Sequence, residues 1–272
     1  MAGNFIASHD RTAIRLAAMH LTWGMPVGKD FIPWLREVKE TGYEGIVSFA
    51  HSGLKSFIEQ PQELKRLLEN EGLVLAGVDV ILQENIELYK PVFEFMQALD
   101  CHLLACIDPA GTEKDYVKYG QLLSRIGEMA QEYDINAHYH NHTDAVGENL
   151  TDMERLIKEI DFNHVSLMLD IGHATKDFVE LPHRERAVRF LEKYWDEIHY
   201  IEFKDWNSTT GLNTPVGEGE TDYLKIFDLI KNKGYSGWIT VEQNGNEGLS
   251  LGRSPKTCAQ ISIDYIRTNL GI

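Results

Sequence analysis

Short apolar runs rich in β-branched residues alternate along this chain with longer stretches in which apolar side chains recur every three or four positions. The short runs fall around 14–23, 45–50, 74–80, 102–107, 135–142, 165–170, 198–204 and 238–243, and each predicts a strand. Between them FIPWLREVKE, PQELKRLLEN, IELYKPVFEFMQALD, YVKYGQLLSRIGEMAQEY and TDMERLIKEI carry helical spacing. RERAVRFLEKYW, DYLKIFDLIKNKG and SPKTCAQISIDYIRTNL continue the alternation to the end. Turn signals at Thr41-Gly42-Tyr43, Glu71-Gly72-Leu73 and Lys233-Gly234-Tyr235 mark helices that stop at Gly before a strand. Eight such units with no linker between them predict one α/β domain, a (β/α)8 TIM barrel over 1–272 with an N-terminal extension at 1–12. No Gly-rich dinucleotide fingerprint follows the first strand, which disfavours an open doubly wound sheet.

A barrel of this kind carries its chemistry at the C-terminal ends of the strands. Four segments place polar residues there: AHYHNH at 137–142, MLDIGH at 168–173, HYIEFKD at 199–205 and TVEQN at 240–244. Side chains alternate across a strand, so His138, His140 and His142 share a face, as do Ser166, Met168 and Asp170. Tyr200, Glu202 and Lys204 form a third set, and Trp238, Thr240 and Glu242 a fourth. With these faces inward, His140, Asp170, Glu202 and Glu242 converge near the barrel mouth. Three carboxylates that close repel one another and raise their own pKa values unless a cation offsets the repulsion. One divalent metal ion is therefore expected, and a mixed oxygen and imidazole set suits Mn, Co, Mg, Fe or Zn. His142, His173 and Lys204 sit beside these ligands, placed to contact substrate or orient the ligands. His20 and Trp23 after the first strand, and His51 after the second, are expected to complete a substrate pocket, since aromatic faces pack against C–H surfaces and imidazoles bond hydroxyls. Asp79 on the third strand is a further candidate whose facing the pattern leaves open.

Composition narrows the partners. With 42 acidic and 26 basic side chains the formal charge is −16, and no Lys/Arg run offers a nucleic acid a local basic patch. Cys101, Cys106 and Cys258 match neither a zinc module nor a disulfide framework, which suits a reducing compartment. The first residues show no basic segment followed by an apolar core, and no run approaches the roughly 18 apolar residues of a membrane span. A cytoplasmic protein with no nucleic-acid or membrane partner is expected, and a homo-oligomer is compatible with the sequence.

The order YHNH, LDIGH, EFKD, PVGEGETDY and GWITVEQ resembles the xylose isomerase-like TIM barrels known as sugar phosphate isomerases/epimerases, which include inosose dehydratase and ketose 3-epimerases. The resemblance runs from about Ile14 to the C-terminus. It implies one divalent metal held by Glu, Asp, His and Glu from the last four strands. Asp170 and Glu242 match the second and fourth of these. His140 stands where Glu is common, and Glu202 where the family's His-x-Lys-Asp pattern puts its His. The set still holds one imidazole and three carboxylates; a local shift would instead make His199 or His142 the imidazole ligand.

The activity implied is a metal-dependent isomerase or epimerase of a keto sugar or related polyol. It would remove the proton next to the carbonyl and pass through a metal-stabilised enediolate, with acid/base work on Glu242, His140, Glu202 and Lys204. His140 disturbs the symmetric exchange between two carboxylates that the epimerases use. The alternative is an inosose dehydratase-like lyase, a dehydratase or hydratase of a keto-cyclitol or keto sugar, in which unlike groups remove the proton and protonate the departing hydroxyl; either way the resemblance implies a small-molecule sugar or cyclitol substrate. A non-enzymatic sugar-binding barrel is a third reading.

Overall fold

The computed structural model describes residues 13–111, 113–245 and 252–272, and the expected extension at 1–12 lies outside them. In chain order the strands are β1 (Ile14–Met19), β2 (Gly45–Phe49), β3 (Val74–Ile81), β4 (Leu103–Ile107), β5 (Asn136–His140), β6 (Val165–Asp170), β7 (Ile198–Phe203), β8 (Asp205–Asn207), β9 (Gly211–Thr214) and β10 (Gly237–Val241). Eight of them close a parallel barrel in the ring order β1, β10, β7, β6, β5, β4, β3, β2, while β8 and β9 form an antiparallel hairpin. Around it lie α1 (Phe31–Thr41), α2 (Pro61–Glu71), α3 (Lys90–Ala98), α4 (Tyr116–Gln131), α5 (Leu150–Ile157), α6 (Ile171–Asp177), α7 (His183–Lys193), α8 (Tyr223–Lys233) and α9 (Pro255–Leu270). The expected (β/α)8 barrel is the observed architecture. None of the described helices is long and apolar enough to cross a membrane.

The strands read as near-continuous apolar runs because both faces are covered. Outward residues such as Ile46, Val78, Leu104, Leu167, Ile201 and Ile239 join the buried faces of the helices in one large core. The barrel interior is a smaller, separate packing of Ala17, Met19, Val47 and Ala76 on one side and Ala105, Met168 and Tyr200 on the other, with Trp238 against both. Arg15 stacks its guanidinium 4.0 Å from the Trp238 ring centroid. The Tyr200 hydroxyl bonds the Thr240 hydroxyl, and a ring N–H of His138 donates to the Leu104 carbonyl at 3.2 Å. Cys101, Cys106 and Cys258 are free and buried.

Four local features depart from the periodicity. The first strand stops at Met19, and His20–Trp23 form a 3-10 turn closed by Gly24 at a φ of 73°, where glycine avoids the steric cost of a Cβ. Ile86–Tyr89 is a 3-10 turn and α3 begins after it, because Pro91 has no N–H to donate and is tolerated only in a first helical turn. Helix α6 spans 7 residues, too few for a helical period to show, and β8–β9 lies in a polar segment without strand alternation.

Candidate active site

The inward faces of β5, β6 and β7 end on His140, Asp170 and Glu202, which offer ligand atoms all within 4.8 Å of one another. Register explains the meeting: Asp170 pairs with Glu202 across β6 and β7, and His140 pairs with Met168 one layer below Asp170. The strand ends are fixed locally. Asn141 accepts from the Asp170 N–H at 2.9 Å and donates to the Asp170 carbonyl at 3.0 Å, tying β5 to β6. Asp170 then caps α6, its Oδ1 accepting from the His173 N–H at 2.9 Å. Gly172 allows the first turn of α6 to lie on Lys204, since a Cβ there would come within 2.9 Å of the Lys204 carbonyl oxygen.

Glu242 follows β10, and its N–H donates to the Phe203 carbonyl at 3.0 Å, which holds it beside the end of β7. Its carboxylate accepts a hydrogen bond from Lys204 Nζ, and both side chains are 3% exposed. Lys204 Nζ also lies 3.8 Å from Asp170 Oδ2. The expected fourth ligand is therefore engaged by Lys204, outside the group formed by His140, Asp170 and Glu202. Beside Lys204, Asp205 is wrapped by the Gly-Glu-Gly loop: the N–H groups of Gly217 and Gly219 each donate to its Oδ2 at 3.0 Å.

Electrostatics sort these groups. Burial, reinforced by the Glu242 and Asp170 charges, raises the Glu202 pKa well above the usual carboxylate value. Burial alone would raise Asp170 too, but the His173 ring, the Lys204 ammonium and His140 reverse this and hold it low. Lys204 is desolvated, yet Glu242, Asp170 and Glu202 outweigh that and keep it an ammonium. Burial pushes Asp79 up to about 7.

The expected substrate contacts divide. The His142 and His173 rings stack with centroids 4.0 Å apart, and the His173 Nε2 lies 3.8 Å from Asp170 Oδ2. Burial, aided by the neighbouring His173 and Lys204, brings His142 down to about 2, so its ring is neutral. His20 has both ring nitrogens engaged, by Ser48 Oγ at 2.9 Å and the Pro26 carbonyl at 2.7 Å, and packs on Trp34. The Trp23 indole N–H donates to Glu37 at 2.9 Å, and His51 is exposed. His199, the alternative imidazole, is exposed on the outer face of β7 with a ring nitrogen 3.1 Å from the Asp196 carbonyl.

A divalent cation suits this donor set. Both nitrogens of His140, both oxygens of Glu202 and Asp170 Oδ2 are buried without a hydrogen-bond partner, an arrangement costly for polar groups unless something charged and compact joins them. Two residues carry no signal in the sequence. Asn141 reads as a spacer between two histidines, and its clamp on β6 depends on a contact 29 residues away. Thr143 accepts from Lys176 at 2.7 Å and donates to Asp177 at 2.6 Å beside His173, with no sequence pattern to announce it.

The family model of the xylose isomerase-like TIM barrel matches residues 35–269. Among relatives by sequence, inosose dehydratase of Geobacillus kaustophilus is 25% identical over 85% of each chain. That of Halalkalibacterium halodurans is 28% identical over a match covering 49% of this chain and 48% of the relative, about half the length of each. Solved structures share the fold at lower identity. A sugar phosphate isomerase/epimerase from Parabacteroides distasonis superposes with a TM-score of 0.74 at 16% identity, covering 96% of this chain and 98% of that one. The D-psicose 3-epimerase of Clostridium cellulolyticum gives 0.71 at 16%, covering 94% and 99%. The IolI protein with a bound zinc atom gives 0.71 at 14%, covering 94% and 98%. By a family model that spans the barrel from α1 to α9, this chain belongs to the xylose isomerase-like TIM barrel family.

Proposed function

We propose that the barrel mouth is the active site of a divalent-metal-dependent dehydratase, or in reverse a hydratase, of a keto-cyclitol or keto sugar. The observation that carries this reading is the buried pair of unlike groups, Lys204 on Glu242, beside His140, Asp170 and Glu202. The inosose dehydratase relatives support the same class. His140, Asp170 and Glu202 would hold the ion, of which Mn, Co, Mg, Fe and Zn all suit the ligands, and a structural neighbour carries zinc. Bound there, such an ion supplies Lewis-acid polarisation of a substrate carbonyl.

The chain's own residues do the rest. Glu242 accepts the proton from the carbon next to the carbonyl, and the electrons of that C–H bond form the new double bond. The bond to the neighbouring hydroxyl breaks with its electrons on oxygen, and Lys204 protonates that oxygen so that it leaves as water. Glu242 then passes its proton to Lys204 across their hydrogen bond, restoring both groups. His142 and His173 face the substrate as neutral rings that accept or donate hydrogen bonds to its hydroxyls, with Trp23 and His51 at the rim.

A second reading, isomerase or epimerase, is favoured by one observation. His142 follows β5, three places around the ring from β10, where Glu242 sits, so that groups on two sides of the mouth could take and return protons. Incubating the metal-loaded protein with a panel of inososes and ketohexoses in deuterated water separates these readings. Loss of water by mass supports the dehydratase, deuterium incorporation with inversion and no water loss selects the epimerase, and neither with any metal sinks both. Asp170→Ala and His140→Ala should each lower bound metal, measured by elemental analysis after dialysis.

A further inference from the structure

The mechanism leaves one inward carboxylate at the mouth without a task. Asp79 sits on β3 between Val78 and Val80, which point outward into the large core, so its side chain points into the barrel. Its neighbour across β4 is the small Ala105. Asp79 is fully buried, and neither carboxylate oxygen has a hydrogen-bond partner. Facing it is His140, whose Nδ1 lies 3.8 Å from Asp79 Oδ2 while its Nε2 lies 3.5 Å from Asp170 Oδ2. The imidazole thus stands between two carboxylates, one on β3 and one inside the proposed ligand group.

We infer that Asp79 is the positioning residue of His140: its carboxylate accepts the Nδ1–H of the ring and so fixes the tautomer whose bare Nε2 faces Asp170 and Glu202. A neutral imidazole carries a single N–H, so whichever nitrogen donates leaves the other as acceptor or ligand. Asp170 accepts from the His173 N–H at Oδ1 and has the Lys204 ammonium 3.8 Å from the Oδ2 that faces the ring, whereas neither oxygen of Asp79 has a hydrogen-bonded donor, so the ring proton gains more on the β3 side. The 3.8 Å separation exceeds hydrogen-bond length, and about an ångström of side-chain movement closes it. Such carboxylate–histidine pairs orient the ring and make its other nitrogen a better donor to a cation. The part of this inference that concerns metal rests on the proposed ligand role of His140; the tautomer does not.

The tautomer is read first, without metal. In ¹⁵N-histidine spectra of the metal-free protein, His140, assigned through His140→Gln, should carry its proton on Nδ1. Asp79→Ala should abolish that preference, and Asp79→Asn, whose amide oxygen still accepts, should retain it. A His140 protonated on Nε2 in the wild type, or spectra unchanged in Asp79→Ala, overturns the assignment whatever the metal does. Zinc titration then reads the consequence. Affinity should fall by about 10- to 100-fold in Asp79→Ala and by much less in Asp79→Asn. Equal losses in the two variants would overturn the positioning role in favour of Asp79 as a charged ligand. Wild-type protein that binds no zinc or other divalent ion would refute the metal reading, and the pairing of Asp79 with His140 would then stand or fall on the tautomer alone. Thermal melts of both variants control for folding.

Discussion

His138 and His140 stand two residues apart on the inward face of β5 and meet opposite surroundings. His138 is paired with the Leu104 carbonyl and lies edge-on to Tyr200, while both nitrogens of His140 are buried without a hydrogen bond. The same contrast holds on the next strands. Met168 packs against Ala105 and Tyr200 where Asp170 faces charges, and Tyr200 bonds Thr240 where both oxygens of Glu202 have no partner. Apart from the buried Ser166 hydroxyl, the lower layer is a satisfied core. In the upper layer, buried polar groups wait for a partner, which lowers the stability of the metal-free fold and gives an incoming cation or substrate more to gain.

This contrast can be broken from either side. The largest effect should come from the upper layer: Lys204→Met removes the proton donor and is expected to lower turnover by about 10²- to 10⁴-fold, measured by steady-state kinetics on the substrate found in the panel. In the lower layer the cost should fall on stability. Met168→Ala opens a cavity in the barrel and should destabilise by about 2–5 kcal/mol in urea denaturation while leaving metal content unchanged. Loss of metal in that variant would mean that the two layers are not separable.

Glu202→Gln tests whether the upper layer is held at a cost. Because burial and its acidic neighbours raise the Glu202 pKa in the folded protein, the folded state keeps a proton that the unfolded state releases as pH rises through the usual 4.5. The unfolded state then binds fewer protons, so metal-free stability falls with rising pH from there up to the raised folded pKa. The Gln variant should lack this slope and exceed the wild type by about 1–4 kcal/mol near pH 8, with the gap closing toward pH 4. Saturating divalent metal should reverse the order, since only the wild type keeps the full ligand set. The smallest effect is expected for Tyr200→Phe, about 1 kcal/mol, because it removes one satisfied hydrogen bond and the partner Thr240 hydroxyl can turn elsewhere.

Much of this is legible in the residues. The strand predicted at 165–170 matches β6 at both ends, and those at 45–50 and 198–204 overrun β2 and β7 by one residue, because apolar runs bounded by turn signals define buried parallel strands. Period-two alternation places His140, Asp170, Glu202 and Glu242 on inward faces, as the structure has them. It cannot say that Glu242 meets Lys204 first. Both side chains are long, and which neighbour a flexible carboxylate chooses depends on distances between strands rather than on spacing within one. The first strand ends short of its predicted extent, at His20–Trp23, because a 3-10 turn keeps apolar residues buried without a strand's geometry.

By itself, then, the sequence determined the eightfold repeat, the parallel barrel and the concentration of titratable residues at the C-terminal ends of its last strands. These follow from local periodicity and from the rule that polar residues at that end of the barrel are the ones free to do chemistry. Only the tertiary structure decided the pairings: Asp79 facing His140, Asn141 clamping β6, Lys204 on Glu242, and His199 turned outward. Each joins residues from different strands or loops, across a barrel whose register and radius are set by the packing of the whole sheet, and electrostatic interactions inside it depend on ångströms that no single strand encodes.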